Sequence, residues 1–240
     1  MVKTAFHVHS DWSYDGRWSL DKVSEVFMDR GYDAVMLCEH CRTFDEHRWN
    51  DYVSACLDTR SGAMLVPGIE YSDPTNTTHV PVWGLEHFIG PEPDMENLVS
   101  SLKQQNMNRF AVFAHPTRRD AWKHVTDDFL DVMNAVEIWN RKTDGFAPSR
   151  NASVFINESR KPIAALDFHS DRQRFPFVLE IEAEDDADGN GIIQALAGGR
   201  HQSTFLGKVC HGNQSWLKKA TLRNAENARR VITGLKRGWR

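Results

Sequence analysis

Cysteine is scarce in this 240-residue chain, which contains only Cys38, Cys41, Cys56 and Cys210. Four cysteines are too few for a disulfide scaffold at this length, and they agree with a reducing compartment. Cys38-Glu-His-Cys41 is formally a C-x-x-C motif, the spacing of a redox pair or of half a zinc knuckle. No second C-x-x-C occurs. We therefore interpret these residues as structural thiols, because free cysteine usually packs as a small buried hydrophobe.

Long hydrophobic runs are also missing, since none approaches the ~18 residues that a helix needs to span a bilayer. The N-terminus enters a predicted strand directly, without the pattern of a signal peptide. We therefore expect a cytoplasmic protein with no transmembrane segment. The length suits a single domain over residues 1–240, with a core over about residues 1–210.

The chain carries no overall positive charge, because its formal net charge at pH 7 is −4. Residues 216–240 nevertheless contain eight Lys or Arg and one Glu, a charge of +7 that leaves −11 on the rest. An acidic body suits a site that gathers cations and argues against a protein that coats nucleic acid. Over about residues 214–240 we predict a basic helix that packs on the domain or contacts an anionic partner or surface.

Glycine-rich phosphate loops are absent as well, although seven strand candidates alternate with predicted helices. Such alternation predicts an α/β fold with a parallel sheet, and the missing loop favours a barrel over a doubly wound sheet. A further helix is predicted near residues 148–159, and residues 177–181 fit an eighth strand or a loop. The seven strand candidates cover residues 3–10, 33–40, 63–72, 79–85, 109–116, 135–140 and 162–169.

Histidine, by contrast, is abundant, and the first two histidines of the chain lie close together in the sequence. His7 and His9 lie two residues apart on the first predicted strand, so their side chains project to the same side. Paired imidazoles bind borderline metals well and have little purpose in an apolar core. Taken alone, the pair also fits two half-buried histidines that hydrogen-bond to the backbone.

Ligand-type residues recur at the ends of most predicted strands. Six imidazoles and three carboxylates exceed what one ion needs, since tetrahedral zinc takes about four ligands and octahedral manganese or iron about six. We therefore predict a cluster of two or three divalent ions, with Glu70 as a bridging ligand. The nine candidate ligands are His7, His9, Asp15, His40, Glu70, His79, His115, Asp167 and His169.

Five short motifs occur in order along residues 4–170: His7-x-His9-Ser with Asp15-Gly16, Glu39-His40, Gly68-Ile-Glu70 with His79, His115-Pro116 and Asp167-Phe-His169. This set resembles the polymerase-and-histidinol-phosphatase (PHP) superfamily of metal-dependent phosphoesterases. The clearest departure is Glu39, where the family usually has Asp; it precedes a ligand and is not itself a required one. The 36 residues from His79 to His115 leave no room for the helical domain that some phosphodiesterase members insert there.

The resemblance implies a distorted (βα)7 TIM-like barrel that holds up to three ions, commonly zinc, manganese or iron. By analogy, the first ion is held by His7, His9, Glu70 and Asp167, the second by Glu70, His79 and His115, and the third by Asp15, His40 and His169.

The residues and the resemblance together predict hydrolysis of a small phosphomonoester by a hydroxide activated in the metal cluster. Clustered divalent ions lower the pKa of water and neutralise phosphate oxygens, so no Ser or Cys nucleophile is required. Asp15, Asp167 and His169 are alternative donors of the proton that the leaving alkoxide needs.

A phosphate substrate also needs cationic donors, and four follow strand ends: Arg118, Arg119, Arg141 and Lys142. A guanidinium matches phosphate in a bidentate way. Each of the four also fits an ordinary solvated surface residue. We expect at least one of them to contact the substrate.

Two other functions stay open. An amidohydrolase also places His-x-His on its first barrel strand, but that class often bridges its metals through a modified lysine, whereas the corresponding strand here ends in Glu70. A non-catalytic metal-binding scaffold of PHP type is expected to lack ligands, and all nine are present.

Overall fold

The computed structural model describes residues 1–105, 108–149, 151–173, 175–184, 186–210, 221 and 224–228. Its strands are β1 (Val2–Val8), β2 (Ala34–Leu37), β3 (Glu39–His40), β4 (Met64–Val66), β5 (Gly68–Ser72), β6 (His79–Trp83), β7 (Phe110–Phe113), β8 (Ala135–Asn140), β9 (Lys161–Ala165), β10 (Phe177–Ile181), β11 (His201–Phe205) and β12 (Lys208–Val209). Its helices are α1 (Leu20–Met28), α2 (Glu46–Asp58), α3 (Met95–Gln104), α4 (Asp127–Asp131), α5 (Arg141–Asp144) and α6 (Gly189–Ala197).

The strands form two six-stranded sheets, in the orders β12-β11-β10-β1-β2-β4 and β3-β5-β6-β7-β8-β9. The mixed α/β class agrees with the sequence, but a closed seven-stranded barrel is not found in the described residues. The division falls at Cys38, which interrupts one continuous run of strand. Before it, β2 pairs with β1 and β4; after it, β3 pairs with β5.

Strand directions also differ from the expected parallel arrangement. β6 is antiparallel to both β5 and β7, and β10 is antiparallel to β1. Only six residues, 73–78, connect β5 to β6, and a parallel return needs a crossover of a dozen or more. Residues 177–181 form a strand, and β11 and β12 extend the sheet beyond it. Their polar sequences carry little strand signal.

Backbone hydrogen bonds also join the chain after β9 to β1. Leu166 N donates to Phe6 O at 3.0 Å, and Phe168 N donates to His7 O at 3.0 Å. In return, His9 N donates to Phe168 O at 2.8 Å. These bonds place Asp167 beside the two histidines that end the first strand.

Apolar side chains from both sheets pack with α6 into what we call the inner cluster. Ile192, Ile193 and Leu196 of α6 belong to it, and this helix contacts β4, β7 and β10. The other helices pack on the outer faces of the sheets, in a larger apolar cluster. The inner cluster comprises Phe6, Ala34, Met36, Cys38, Val66, Trp83, Phe110, Val112, Ala135, Ile163, Ala165, Leu179, Ile181, Ile192, Ile193, Ala195 and Leu196.

Side chains cap the N-termini of α1 and α2. Ser19 Oγ accepts from Lys22 N at 3.4 Å at the start of α1, and Asp45 accepts from Arg48 N at 2.8 Å at the start of α2. The helix predicted near residues 148–159 is a short 3-10 helix, Ala152–Phe155. Within the described residues, no helix combines the length and apolar character needed to cross a bilayer.

The basic helix predicted over about residues 214–240 lies outside the described residues, apart from residues 221 and 224–228, which are helical. Among these, Glu226 is buried and its Oε2 accepts from Phe146 N at 3.0 Å. This short stretch therefore packs against the chain that follows α5.

Candidate metal centre

The nine predicted ligands lie together, most of them at or just beyond the C-terminal ends of strands and His79 at the start of the antiparallel β6, and we call this set the candidate metal centre. Eight of them are buried, and Asp15 is the exception, with a side chain that is 36% exposed. Strand alternation and the joining of β9 to β1 bring them together from seven separate segments of the chain. The set is His7, His9, Asp15, His40, Glu70, His79, His115, Asp167 and His169.

Glu70 lies at the middle of the centre and is 1% exposed. Burial raises the pKa of its carboxyl, but electrostatic interactions and hydrogen bonds with the surrounding imidazoles, His79 and His7 first among them, outweigh that effect and hold the pKa well below its usual range. The carboxylate is therefore ionised. Five histidines approach its oxygens: His79 Nδ1 (2.9 Å), His115 Nε2 (3.2 Å) and His7 Nε2 (3.4 Å) at Oε1, and His40 Nδ1 (2.9 Å) and His9 Nε2 (3.6 Å) at Oε2.

Asp15 links two further imidazoles at the open side of the centre. Its Oδ1 lies 3.3 Å from His40 Nε2, and its Oδ2 lies 3.2 Å from His169 Nε2. Burial lowers the pKa of His40, but hydrogen bonds to Asp15 and Glu70 reverse this and raise it to about 9. Asp15 thus contacts both of the histidines that the resemblance assigns to the same ion.

Several buried nitrogen atoms of the centre have no hydrogen-bond partner among the described residues. They are His7 Nε2, His9 Nε2 and His115 Nδ1. A buried polar atom without a partner is costly and rare unless it serves a ligand.

The ligand atoms also fall into groups that fit an ion, each with all its atoms within 4.8 Å of one another. Nitrogen and oxygen donors in such groups suit zinc, manganese or iron. The residues present therefore fit a divalent metal. The groups are His7/His9/Cys38, His9/His40/His169, His7/His115/Asp167 and Glu70/His79/His115.

Three residues of the centre have left-handed backbone conformations. The φ angles are 64° at His7, 28° at His115 and 49° at Asp167. Each such angle costs on the order of 1–3 kcal/mol for a residue other than glycine, and such strain collects at functional sites. At these three positions the left-handed backbone orients the side chains toward the candidate metal centre.

Glu137 is a functional candidate that the sequence analysis missed. It is fully buried on β8, and His7 Nδ1 donates to its Oε1 at 2.5 Å. Its Oε2 accepts from His115 N and from Asn140 Nδ2, both at 2.8 Å. With Nδ1 carrying the proton, His7 presents the lone pair of Nε2 to the centre. The available signal was a charged residue inside the apolar run Ala135-Val-Glu-Ile-Trp.

Glu39, the departure from the family pattern, does not join the centre. Its Oε1 accepts from Ser10 N at 2.9 Å, and its Oε2 accepts from Ser13 Oγ at 2.5 Å. This buried carboxylate fixes the loop after β1 against β3. In the same loop, a Cβ at Gly16 would collide with the Ser10 carbonyl, so the Asp15-Gly pair needs glycine.

A cavity of about 250 Å³ opens above the centre. Two of the four predicted cations line it. Arg118 Nη1 lies 3.1 Å from His79 Nε2, and Lys142 Nζ lies 3.2 Å from His169 Nε2. The lining residues are Tyr14, Asp15, His40, Glu70, Asn76, His79, His115, Arg118, Lys142, Thr143 and Asp167.

The other two predicted cations lie outside that lining. Arg119 Nη1 donates to Thr75 O at 2.9 Å, which holds the loop between β5 and β6. The Arg141 guanidinium lies 4.9 Å from the ring centres of both Phe146 and Phe175. Tyr14, which lies in no functional motif, stacks on His40 with 5.0 Å between the ring centres and lines the cavity.

No family model matches the sequence, and no curated protein matches it. Solved structures resemble it in fold. PsfC from Pseudomonas syringae PB-5123 has a TM-score of 0.60 at 16% identity, covering 97% of this chain and 98% of that one. A protein described as a metal-dependent phosphoesterase from Bifidobacterium adolescentis ATCC 15703 has a TM-score of 0.48 at 12% identity, covering 70% and 87%. An amidohydrolase from Chromobacterium violaceum, with bound sulfate and no metal, has a TM-score of 0.49 at 13% identity, covering 82% and 96%. The likeness to PsfC indicates a shared fold over nearly the full length of both chains.

Proposed function

We propose that this chain is a metal-dependent phosphoesterase of the PHP type that hydrolyses a small phosphomonoester with two or three divalent ions. The observation that carries the proposal is Glu70. Its two oxygens face different sets of histidines, His7, His79 and His115 at one and His9 and His40 at the other. A buried carboxylate in this position suits a bridge between ions, a role that amidohydrolases often give to a modified lysine.

One of the three ligand sets that the resemblance implies, Glu70 with His79 and His115, is also a potential metal group in the structure, and we infer the rest of the division by analogy. His79 and His115 approach Oε1 of Glu70 within 3.2 Å and make up one site. Asp15, in contact with both His40 and His169, makes up another. When bound, divalent ions at these sites would lower the pKa of water and neutralise phosphate oxygens.

The chain's own residues would bind and orient the phosphate. Arg118 and Lys142 lie on two sides of the cavity, one beside His79 and the other beside Asp167 and His169. From these places their N–H groups would donate to phosphate oxygens in charge-assisted hydrogen bonds.

The proton for the leaving alkoxide would come from a group around the same cavity. Asp15 and Asp167 line it, and His169 contacts Asp15 at 3.2 Å. The cavity's small volume favours a compact substrate over a nucleic acid chain. Zinc, manganese and iron all fit a donor set of imidazoles and carboxylates.

Metal content and hydrolysis, measured on the same samples, test this proposal. We expect about two to three equivalents of metal by elemental mass spectrometry in the wild-type protein, together with metal-dependent hydrolysis of p-nitrophenyl phosphate. His9→Ala should lower both. His47→Ala, at a side chain that is 88% exposed, should change neither.

Other results would redirect the assignment. Less than about one equivalent of metal after reconstitution would contradict the metal centre. Full loading without phosphate release would favour the scaffold, and full loading with cleavage of amide substrates alone would favour an amidohydrolase.

A further inference from the structure

Cys38 lies at the boundary between the inner cluster and the candidate metal centre. It follows β2 and precedes β3, and its side chain packs in the inner cluster with Met36. Residues two apart in an extended chain face the same side, so Met36, Cys38 and His40 form one inward row. In this row Cys38 lies between Met36 of the inner cluster and the candidate ligand His40. It is fully buried.

The surroundings of Cys38 contain two imidazoles, His7 and His9, each with one buried nitrogen atom that has no hydrogen-bond partner among the described residues. Its Sγ and the ligand nitrogens of His7 and His9 all lie within 4.8 Å of one another. Both histidines are fully buried, and the Nε2 atom of each has no hydrogen-bond partner among the described residues. In a tetrahedral zinc site, neighbouring sulfur and nitrogen ligands lie about 3.5 Å apart, so only a modest contraction is needed.

The other cysteines provide a contrast inside the same molecule. Cys41, Cys56 and Cys210 are also buried free thiols, but none of them belongs to a potential metal group in the described parts of the chain. Their surroundings agree with the structural interpretation made from the sequence. Within the described residues, Cys38 is the one thiol that adjoins imidazole nitrogens without hydrogen-bond partners.

We propose that Cys38 is a thiolate ligand of the ion that His7 and His9 hold. This rests on the proposed metal centre and deepens it by assigning a sulfur ligand to one of its sites. On binding, the S–H bond breaks, a metal–sulfur bond forms, and the proton passes to bulk water. Because thiolate is a soft ligand, this site should prefer zinc or ferrous iron to manganese.

Cobalt substitution tests the sulfur ligand directly. The full-length protein is stripped with a chelator and titrated with Co²⁺ alone. Visible ligand-field bands report that cobalt is bound, and a near-ultraviolet charge-transfer band reports a cobalt–thiolate bond. We expect both in the wild type and in Cys56→Ala. Cys38→Ala should lose the charge-transfer band and at least about tenfold of its preference for Zn²⁺ over Mn²⁺.

The possible failures are distinguishable because the wild-type spectrum needs no variant. Ligand-field bands without a charge-transfer band in the wild type would overturn the Cys38 assignment and leave the proposed function intact. Absence of any cobalt binding would overturn both. A charge-transfer band that survives in Cys38→Ala but disappears in Cys56→Ala would assign the sulfur elsewhere and overturn the proposal.

Discussion

The same strands build two very different regions, the inner cluster and the candidate metal centre. In the inner cluster, the polar atom of the fully buried Trp83 is satisfied, because its Nε1 donates to Leu37 O at 2.6 Å. In the centre, His7 Nε2 and His9 Nε2 are buried without partners in the described structure, and the backbone at Asp167 is left-handed. The inner cluster therefore stabilises the fold without a ligand, whereas the candidate metal centre contains buried polar atoms that a bound metal ion would pair.

The two regions also differ in their electrostatics, because the candidate metal centre contains buried imidazoles with shifted pKa values. Burial lowers the pKa of His79 to about 4, against the charge of Glu70. Burial also lowers the pKa of His9 well below its usual value, and the neighbouring His169 and His40 add to this. These two imidazoles are therefore neutral at pH 7, which is the form that binds a metal ion. The one titratable side chain among the described members of the inner cluster is Cys38, whose thiol pKa burial raises to about 12.

Replacing Glu70 should break the metal centre and give the largest effect. Glu70→Gln keeps the shape but removes the charge that two sets of histidines share. We expect loss of at least one equivalent of bound metal and a fall in p-nitrophenyl phosphate hydrolysis on the order of 10³-fold. Elemental mass spectrometry and initial rates measure the two losses.

The stability of the same variant sharpens the contrast between the regions. Metal should raise the melting temperature of the wild type, since it binds the folded state, and should not raise that of Glu70→Gln. Glu158→Gln, at an exposed loop residue, is the matched control and should behave as the wild type. Unchanged metal content in Glu70→Gln would contradict the bridging role.

A substitution in the inner cluster should instead lower the stability of the protein whether or not metal is bound. Trp83 is fully buried and lies at the far end of β6 from His79, about 13 Å away along the strand. Trp83→Ala should lower the free energy of unfolding by about 3–5 kcal/mol through lost burial and a cavity. Denaturant melts of the chelated and metal-loaded protein measure this.

Trp83→Ala should lose the same free energy of unfolding in the chelated and the metal-loaded protein, because Trp83 belongs to the inner cluster and not to the candidate metal centre. Leu57→Ala, at a residue that is 58% exposed, should change stability by less than about 0.5 kcal/mol. A loss at Trp83 that appears only in the metal-loaded protein would mean that the two regions are not independent.

The sequence predicts the centre better than the sheets that carry it. Period-two alternation selects His7 and His9 as a pair, and most of the other candidates lie near strand ends, whereas Asp15 lies in a loop and His79 begins β6. The division into two sheets depends on which strand pairs with which. That is set by tertiary packing around Cys38 and by the short connection at residues 73–78, and no single segment records it.

Partners of the ligands were harder to predict than the ligands themselves. Glu137 and Asn76 have no motif spacing, and their roles follow only from distances across the fold: Asn76 Oδ1 lies 2.6 Å from His79 Nε2. Among the predicted cations, Arg118 and Arg141 have the same chemistry and similar positions relative to their strands. One faces the cavity and the other stacks between two phenylalanines.

Glu137 offers the most specific test of the difference between the two regions, because it is a buried carboxylate whose role depends on the candidate metal centre. Its Oε1 accepts from His7 Nδ1, and its Oε2 accepts from His115 N and Asn140 Nδ2. Glu137→Gln has the same size but presents one N–H donor in place of an acceptor. If that donor faces His7, the proton moves to Nε2 and blocks the metal-binding lone pair. If it faces His115 N, two donors meet.

Either orientation should weaken metal binding by about 10–100-fold, as loss of a histidine's outer partner usually does. Competition with a chelator of known affinity measures this in Glu137→Gln, beside Glu180→Gln, a half-buried strand carboxylate that accepts from Gln202 instead of a ligand. A purely structural role would lower stability without altering metal affinity. Unchanged affinity in a folded Glu137→Gln protein would therefore place Glu137 with the inner cluster, as a residue that supports the fold and does not tune the centre.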